Sequence, residues 1–453
     1  MPKRLRIRLI EPSRYLADGR LLRGNRLLFP SLALPLLAAL TPRSADVTIQ
    51  NEFFEDINFD EPVDLVGITA YTSRALRAYE IADEFRRRNV PVVMGGIHVS
   101  MVPDEAAEHA DTVIIGEAEE TWPRFIEDFQ AGRAESRYRA ERPPSLDDLP
   151  VPRFSLLSRS HYLSYRQRGL SRFAPTSFIP VQTARGCPHA CEFCSVSVFN
   201  GREYRARPIA SVINEIKSLG TKVCFFVDDD IFAVPERARE LFNALVPLGI
   251  SWFGQGSISA VEDVALLDLA RRSGCLAVFF GLESLVRECL RAMGKTHNVV
   301  EDYERHLKVC RDLGISVMAS MMFGFGPEEP AVFDEACDFL IRNQVPYAAW
   351  WPLIPFPGTR FFARLRREGR LKSDRWWLDP AATARFTDLK FTGVKMGEDV
   401  FRRNFRRAFS RFYSFSSIAR RLLLPPQERW PRKAALNLLF RRRMSRDTTI
   451  LET

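Results

Sequence analysis

From residue 6 to about residue 129, short apolar runs alternate with longer stretches whose apolar positions recur at helical spacing. The runs 6–10, 46–50, 64–69, 91–94 and 112–115, rich in Val and Ile, predict strands. Helices are predicted over 32–40, 74–88 and 103–109 between them, and over 119–129 after the last. Such alternation argues for a parallel sheet with helices on both faces. A sheet of this kind gathers its ligands outside the carboxyl ends of its strands, where the strand order reverses. The residues at those ends are Glu11 after the first strand, Tyr71, Thr72 and Ser73 after the third, Gly95, Gly96 and His98 after the fourth, and Gly116 and Glu117 after the fifth. Glycines there let a ligand approach the backbone closely.

A Pro-rich connector, 143–152, interrupts the pattern and marks a boundary. Beyond it strands are predicted at 181–184, 223–228, 252–256, 277–282, 316–323 and 347–352, with helices such as 236–245, 261–272 and 330–343 between them. Six strands are too few to close an eight-stranded barrel. The expected organisation is a first α/β unit over 1–141, a linker over 142–175, a partial barrel over 176–360 and a helical, basic region over 361–453. In that last region Phe401, Phe405, Phe409 and Phe412 recur at helical spacing among arginines between 402 and 421, which predicts a helix packed on the barrel. The aromatic run 347–351 and the pair Trp376 and Trp377 suit either core or a substrate cavity.

Charge sharpens this division. The net charge of +9 is uneven: residues 400–453 hold 14 Lys and Arg against 3 Asp and Glu, leaving 51 against 53 for everything before. A basic tail suits an anionic membrane surface, nucleic acid or an acidic substrate, although a solvated terminal helix is the commoner case. The longest greasy stretch, 27–40, is too short to span a bilayer and is broken by Pro30 and Pro35. With no signal-like start and no disulfide-like spacing among Cys224, Cys275, Cys289, Cys310 and Cys337, a cytoplasmic protein is expected.

The remaining cysteines stand apart. Cys187, Cys191 and Cys194 form C-x3-C-x2-C, with Phe193 before the third, directly after a predicted strand. Three thiolates on one loop can hold three irons of a [4Fe-4S] cluster and leave the fourth open; no fourth nearby Cys completes a zinc site of the usual two-plus-two form. The arrangement resembles the radical S-adenosylmethionine (SAM) superfamily, in which SAM chelates the open iron and is cleaved to a 5′-deoxyadenosyl radical. That resemblance implies a partial (β/α)6 barrel, with SAM held at its strand ends by Phe193, Gln255, Ser257, Glu283, Phe325 and Pro355. It also implies a low-potential electron donor of flavodoxin or ferredoxin type.

A second resemblance covers the first unit. Gly95-Gly96-Ile97-His98 followed by Gly116-Glu117-Ala118-Glu119, upstream of such a cysteine motif, looks like the cobalamin-binding domain of B12-dependent radical SAM enzymes, a flavodoxin- or Rossmann-like fold. The apolar helix after Pro30 would then lie under the corrin ring. Glu11, Tyr71, Thr72, Ser73, Gly95, Gly96, His98, Gly116 and Glu117 become candidate cobalamin contacts. There is no Asp-x-His-x-x-Gly, so no imidazole is expected below the cobalt. No G-x-G-x-x-G opens a helix after the first strand, which disfavours a dinucleotide.

Together the resemblances imply a cobalamin-dependent radical SAM C-methyltransferase acting on an unactivated carbon of a small or lipid-like metabolite. An oxidative cyclase or ring-rearranging enzyme of tetrapyrrole or hopanoid pathways would use the same cofactors without gaining a methyl. A third class, an RNA-modifying or RNA-binding protein, lacks a second cluster motif and any RRM or KH signature, so no nucleic-acid partner is expected.

Overall fold

The computed structural model describes residues 4–25, 27, 30–158, 161–162, 178–385 and 387–444. The latter part of the expected linker, 163–175, lies outside them.

The first unit contains β1 (Arg6–Glu11), β2 (Asp46–Asn51), β3 (Leu65–Thr69), β4 (Val92–Gly95), β5 (Thr112–Ile115) and β6 (Arg137–Arg139). They form one all-parallel sheet in the order β2-β1-β3-β4-β5-β6. This is the reversing order of a doubly wound sheet, with β6 added at the edge. Period-two alternation sorts the strand side chains into two cores. Ile10, Val66, Ile68, Val92, Met94 and Val113 meet the helix Ala75–Arg87 on one face. Ile7, Leu9, Leu65, Val93 and Ile114 meet Trp122, Phe125 and Ile126 of the helix Thr121–Gln130 on the other.

The second unit contains β7 (Ile179–Val181), β8 (Ala184–Arg185), β9 (Arg205–Ala206), β10 (Val223–Phe226), β11 (Ser251–Gly256), β12 (Cys275–Glu283), β13 (Ser316–Phe323) and β14 (Tyr347–Pro352). Six of these form an all-parallel sheet in the sequential order β14-β13-β12-β11-β10-β7, the open barrel expected. The predicted strand 181–184 is divided. Barrel pairing ends at Val181, because the Thr183 amide and hydroxyl donate to the Asp228 carboxylate, and Ala184–Arg185 then pairs with Arg205–Ala206 as an antiparallel ribbon.

The C-terminal helix is also divided, into Glu398–Phe412 and Phe415–Leu423, with Ser414 capping the second through its hydroxyl to the Ser417 amide. Phe401, Phe405, Phe409 and Phe412 are all buried, and Phe401 and Phe405 meet the ring of Phe333. Tyr413 and the fully buried Arg421 reach the barrel's last strand. The Tyr413 hydroxyl takes the Ala348 amide at 3.2 Å and donates to the Ala348 carbonyl at 2.7 Å. Arg421 donates to the carbonyls of Val345, Pro346 and Phe412 and to Asn437 Oδ1, its guanidinium stacked 3.8 Å over the Phe412 ring.

Tyr347 and Trp350 are barrel core, and Trp376 and Trp377 join the core of the first unit rather than a cavity. Trp377 Nε1 donates to Glu105 at 2.7 Å and Trp376 Nε1 to the Pro355 carbonyl at 3.0 Å, so this segment staples the two units. Among the described residues no helix is long and apolar enough to cross a membrane.

Candidate functional site

A cavity of about 400 Å³, open to solvent, lies where the carboxyl ends of the two sheets meet. Leu32, Leu36, Leu37 and Leu40 of the predicted apolar helix, which runs Ala33–Leu40, form one wall. Gly67, Gly95, Gly96 and Gly116 line the sheet edge, and Gln182, Phe199, Asn200 and Val227 close it from the barrel. Gly116 has φ +85°, and a Cβ there would project into open space. Gly96, at φ +99°, has the Thr69 hydroxyl 2.7 Å from where a Cβ would stand. Both positions therefore hold a left-handed backbone that a side chain would strain, and Gly96 lacks room for a Cβ as well.

The expected contacts of this edge separate into two groups. Gly95, Gly96, Gly116 and Glu117 line the cavity, with Tyr71, 48% exposed, at its rim. Glu11, Thr72, Ser73 and His98 do not line it. Glu11 is spent on Arg74 at 2.7 Å and Asn51 at 2.9 Å. His98 follows the tight Gly96 turn into a helix and faces the opposite way, its Nε2 3.1 Å from the Tyr79 hydroxyl and 3.7 Å from Glu105. Burial lowers its pKa despite Glu105, so it is a neutral core imidazole. Among the described residues no histidine lines the cavity.

On the barrel side, Cys187, Cys191 and Cys194 sit half-buried on the loop closed by the β8–β9 ribbon. Gly186 makes the closure possible: its φ is +90°, and a Cβ would stand 1.9 Å from the Glu203 carbonyl. Its amide donates to Asp229 at 2.8 Å, which also holds Asn200 Nδ2 at 3.0 Å. The loop docks through the Glu192 amide on the Met293 carbonyl and through Glu192 on Arg364 at 3.0 Å. Burial pushes the Cys187 thiol up to about 12 and raises that of Cys191, with Cys194 adding to both. Thiols crowded in this way ionise when positive charge is supplied, as cluster irons would supply it. Among the described residues no three His, Cys, Asp or Glu converge on one point as the ligands of a single metal ion do; a cubane asks instead for three spaced thiols.

The expected SAM contacts also divide. Glu283 ends β12 at φ +66°, with Lys295 Nζ 3.0 Å from one oxygen and the Ser320 hydroxyl 2.9 Å from the other. Gly281 leaves the room for this, since a Cβ there would stand 2.3 Å from the Glu283 carboxylate. Ser257 bonds Asp230 through its hydroxyl at 2.7 Å and its amide at 3.1 Å, and Gln255 donates to the Asp228 carbonyl at 2.9 Å. Phe193 packs half-buried on the barrel core, whereas Phe325 and Pro355 are buried in packing.

Sequence reasoning missed Lys295, His189, His297 and Arg185. Burial would lower Lys295, but Glu283 and Cys191 outweigh it and raise its pKa. His189 and His297 stack at 3.5 Å, and burial, with Lys295 and His189 adding, drives His297 down to about 3. Arg185 pairs with Glu117 and, at 2.5 Å, with Glu119, and Arg205 also pairs with Glu117. Its position two residues before Cys187 was the available signal.

The donor set fits a cluster held by three thiolates, and the glycine edge with its leucine wall fits a large flat macrocycle. Comparison with known proteins agrees. The profile of the radical SAM superfamily matches residues 181–340, and that of the B12 binding domain matches residues 32–126. The chain is 32% identical over 358 residues to the bacteriochlorophyllide d C-8(2)-methyltransferase of Chlorobaculum tepidum, covering 76% of this chain and 78% of the relative. It is 30% identical over 400 residues to the bacteriochlorophyllide d C-12(1)-methyltransferase of the same organism, covering 86% and 84%. In fold it matches the radical SAM methyltransferase TsrM of Kitasatospora setae, with a TM-score of 0.67 at 18% identity, over 98% of this chain and 100% of that one.

Proposed function

The chain belongs to the B12-binding-domain radical SAM enzymes, and from that premise we propose that it methylates an unactivated carbon of a small or lipid-like metabolite, with Cys187, Cys191 and Cys194 as the cluster ligands. It is a radical SAM methyltransferase whose cofactors are a [4Fe-4S] cluster, SAM and cobalamin. Bound, these supply a 5′-deoxyadenosyl radical that takes hydrogen from carbon and a methyl group for the carbon radical left behind.

The chain's own part is placement. Cys187, Cys191 and Cys194 would hold three irons, and Glu283, fixed between Lys295 and Ser320, would accept from the SAM amine. Asp230 holds Ser257 in place for the same ligand, and the stacked His189 and His297 present a ring face. Leu36, Leu37 and Gly116 would receive the corrin, with no imidazole offered from the lining. A radical reacts with what lies nearest, so the two sites must open on one space. The observation that carries the reading is the cavity between the two units, lined by the glycine edge and by Phe199 and Asn200 of the segment that carries the cysteines, although the three cysteines, Gln255, Ser257 and Glu283 are not among its lining residues.

Macrocyclic tetrapyrroles are the first substrate class to test, because both Chlorobaculum relatives methylate bacteriochlorophyllide d. Anaerobic reconstitution with methyl-labelled SAM, a low-potential reductant, and tetrapyrrole or lipid candidates should place label on product carbon. Hydrogen loss or ring closure without label would favour the cyclase reading. Nitrogen splitting in the cobalt(II) resonance that vanishes in His98→Ala would overturn the expectation of an open lower face.

A further inference from the structure

Two arginines face each other across the β8–β9 ribbon: Arg185 and Arg205 are register partners. Like charges directly opposite on paired strands repel, and this ribbon is only two residues long on each side. The charge that reconciles them comes from the other unit. Glu117, after β5, bonds Arg185 through one oxygen and Arg205 through both, and Glu119 takes the second arm of Arg185. The four side chains are 5–13% exposed and sum to no net charge. Arg205 also donates to the carbonyls of Pro144 in the connector and Asn200 in the loop, at 2.9 and 3.2 Å.

The position of the ribbon gives this network a role. It is the neck of the segment that carries Cys187, Cys191 and Cys194, and Glu117, Glu119 and Arg185 all line the shared cavity. Glu119 Oε2 is buried and has no hydrogen-bond partner.

We infer that this network is a latch: carboxylates of the B12-side unit close the cluster loop of the barrel, and Arg185 and Arg205 are positioning residues that set one cofactor site against the other. The inference rests on the reading of the two sites above. Its consequence is that a cluster loop without the first unit docked has an open, self-repelling neck.

The test is hydrogen exchange and electron paramagnetic resonance on the full-length, reconstituted protein. Glu117→Gln, a substitution in the other unit, should speed exchange of amides between Gly186 and Tyr204 about tenfold, with β12 and β13 unchanged. Arg205→Met should do the same, Arg205→Lys should restore most of the protection, and the relaxation of cobalt(II) by the reduced cluster should change in the first two variants only. Loop exchange and relaxation equal to wild type in Arg205→Met would overturn the latch, as would a lysine variant no better than methionine. Should Glu117→Gln fail to fold, the two Arg205 variants still decide. These readouts need no substrate, so an absence of methylated product in the wild type counts against the proposed function and not against the latch.

Discussion

The two sheets each run six parallel strands, yet their carboxyl edges are made of different material. The first sheet ends in glycine backbone under a leucine wall, so its site is a shape. The barrel ends in a chain of charged and hydroxyl groups that hold one another: Asp228 with Thr183, Asp230 with Ser257, and Glu283 with Lys295 and Ser320. Topology explains the division. The reversing order opens a crevice at the middle of the first sheet, whereas the sequential order curls the second around its own strand ends. A site made of shape should respond to volume, and a site made of side chains to chemistry.

The largest test of that difference is Cys187→Ala, Cys191→Ala or Cys194→Ala. Each should abolish the cluster's visible absorbance and 5′-deoxyadenosine formation while cobalamin still binds, since the shape on the other side is untouched. Loss of cobalamin in all three would break the comparison.

Next comes acidity. Burial lifts Glu328, after β13, to about 7 even though the Gly324 and Phe325 amides donate to it. A folded value above the unfolded 4.5 means that the folded chain binds more protons between those limits, so stability falls as pH rises through that window. The full gap corresponds to about 3 kcal/mol. Glu328→Gln keeps an acceptor for both amides and should flatten the fall, which melting of both proteins from acid to neutral pH would reveal. Parallel curves would remove Glu328 as its source.

On the shape side, Gly96→Ala forces a left-handed residue against Thr69 and the Ala70 backbone. It should cost about 1–3 kcal/mol and weaken cobalamin binding with iron content unchanged. The smallest effect belongs to Leu37→Ala, which trims the half-exposed cavity wall: about 1 kcal/mol of cobalamin affinity by titration, with little change in melting.

The same contrast explains what was legible. Eleven sheet strands were visible because four or more residues of apolar pattern or a position before a motif mark them, and the cysteine spacing names its chemistry locally. β6 is Arg-Tyr-Arg and the β8–β9 ribbon has two residues a side, too short to show a period. The glycine edge was readable as backbone. His98 was misplaced because sequence adjacency to Gly96 does not say which way a helix turns the next side chain. The partners of Arg185 lie 68 and 66 residues away, and Lys295 reaches Glu283 across 12 with no motif between.

An open barrel has a last strand with unpaired backbone, and such an edge is a template on which a second copy of the chain could add a strand of its own. In this molecule a phenol and a guanidinium occupy that position, Tyr413 on both polar groups of Ala348 and Arg421 on the carbonyls just before β14. A side chain satisfies a backbone group without offering another to continue the ladder. Part of the tail's positive charge is thus turned inward, onto backbone groups at the barrel's unfinished rim.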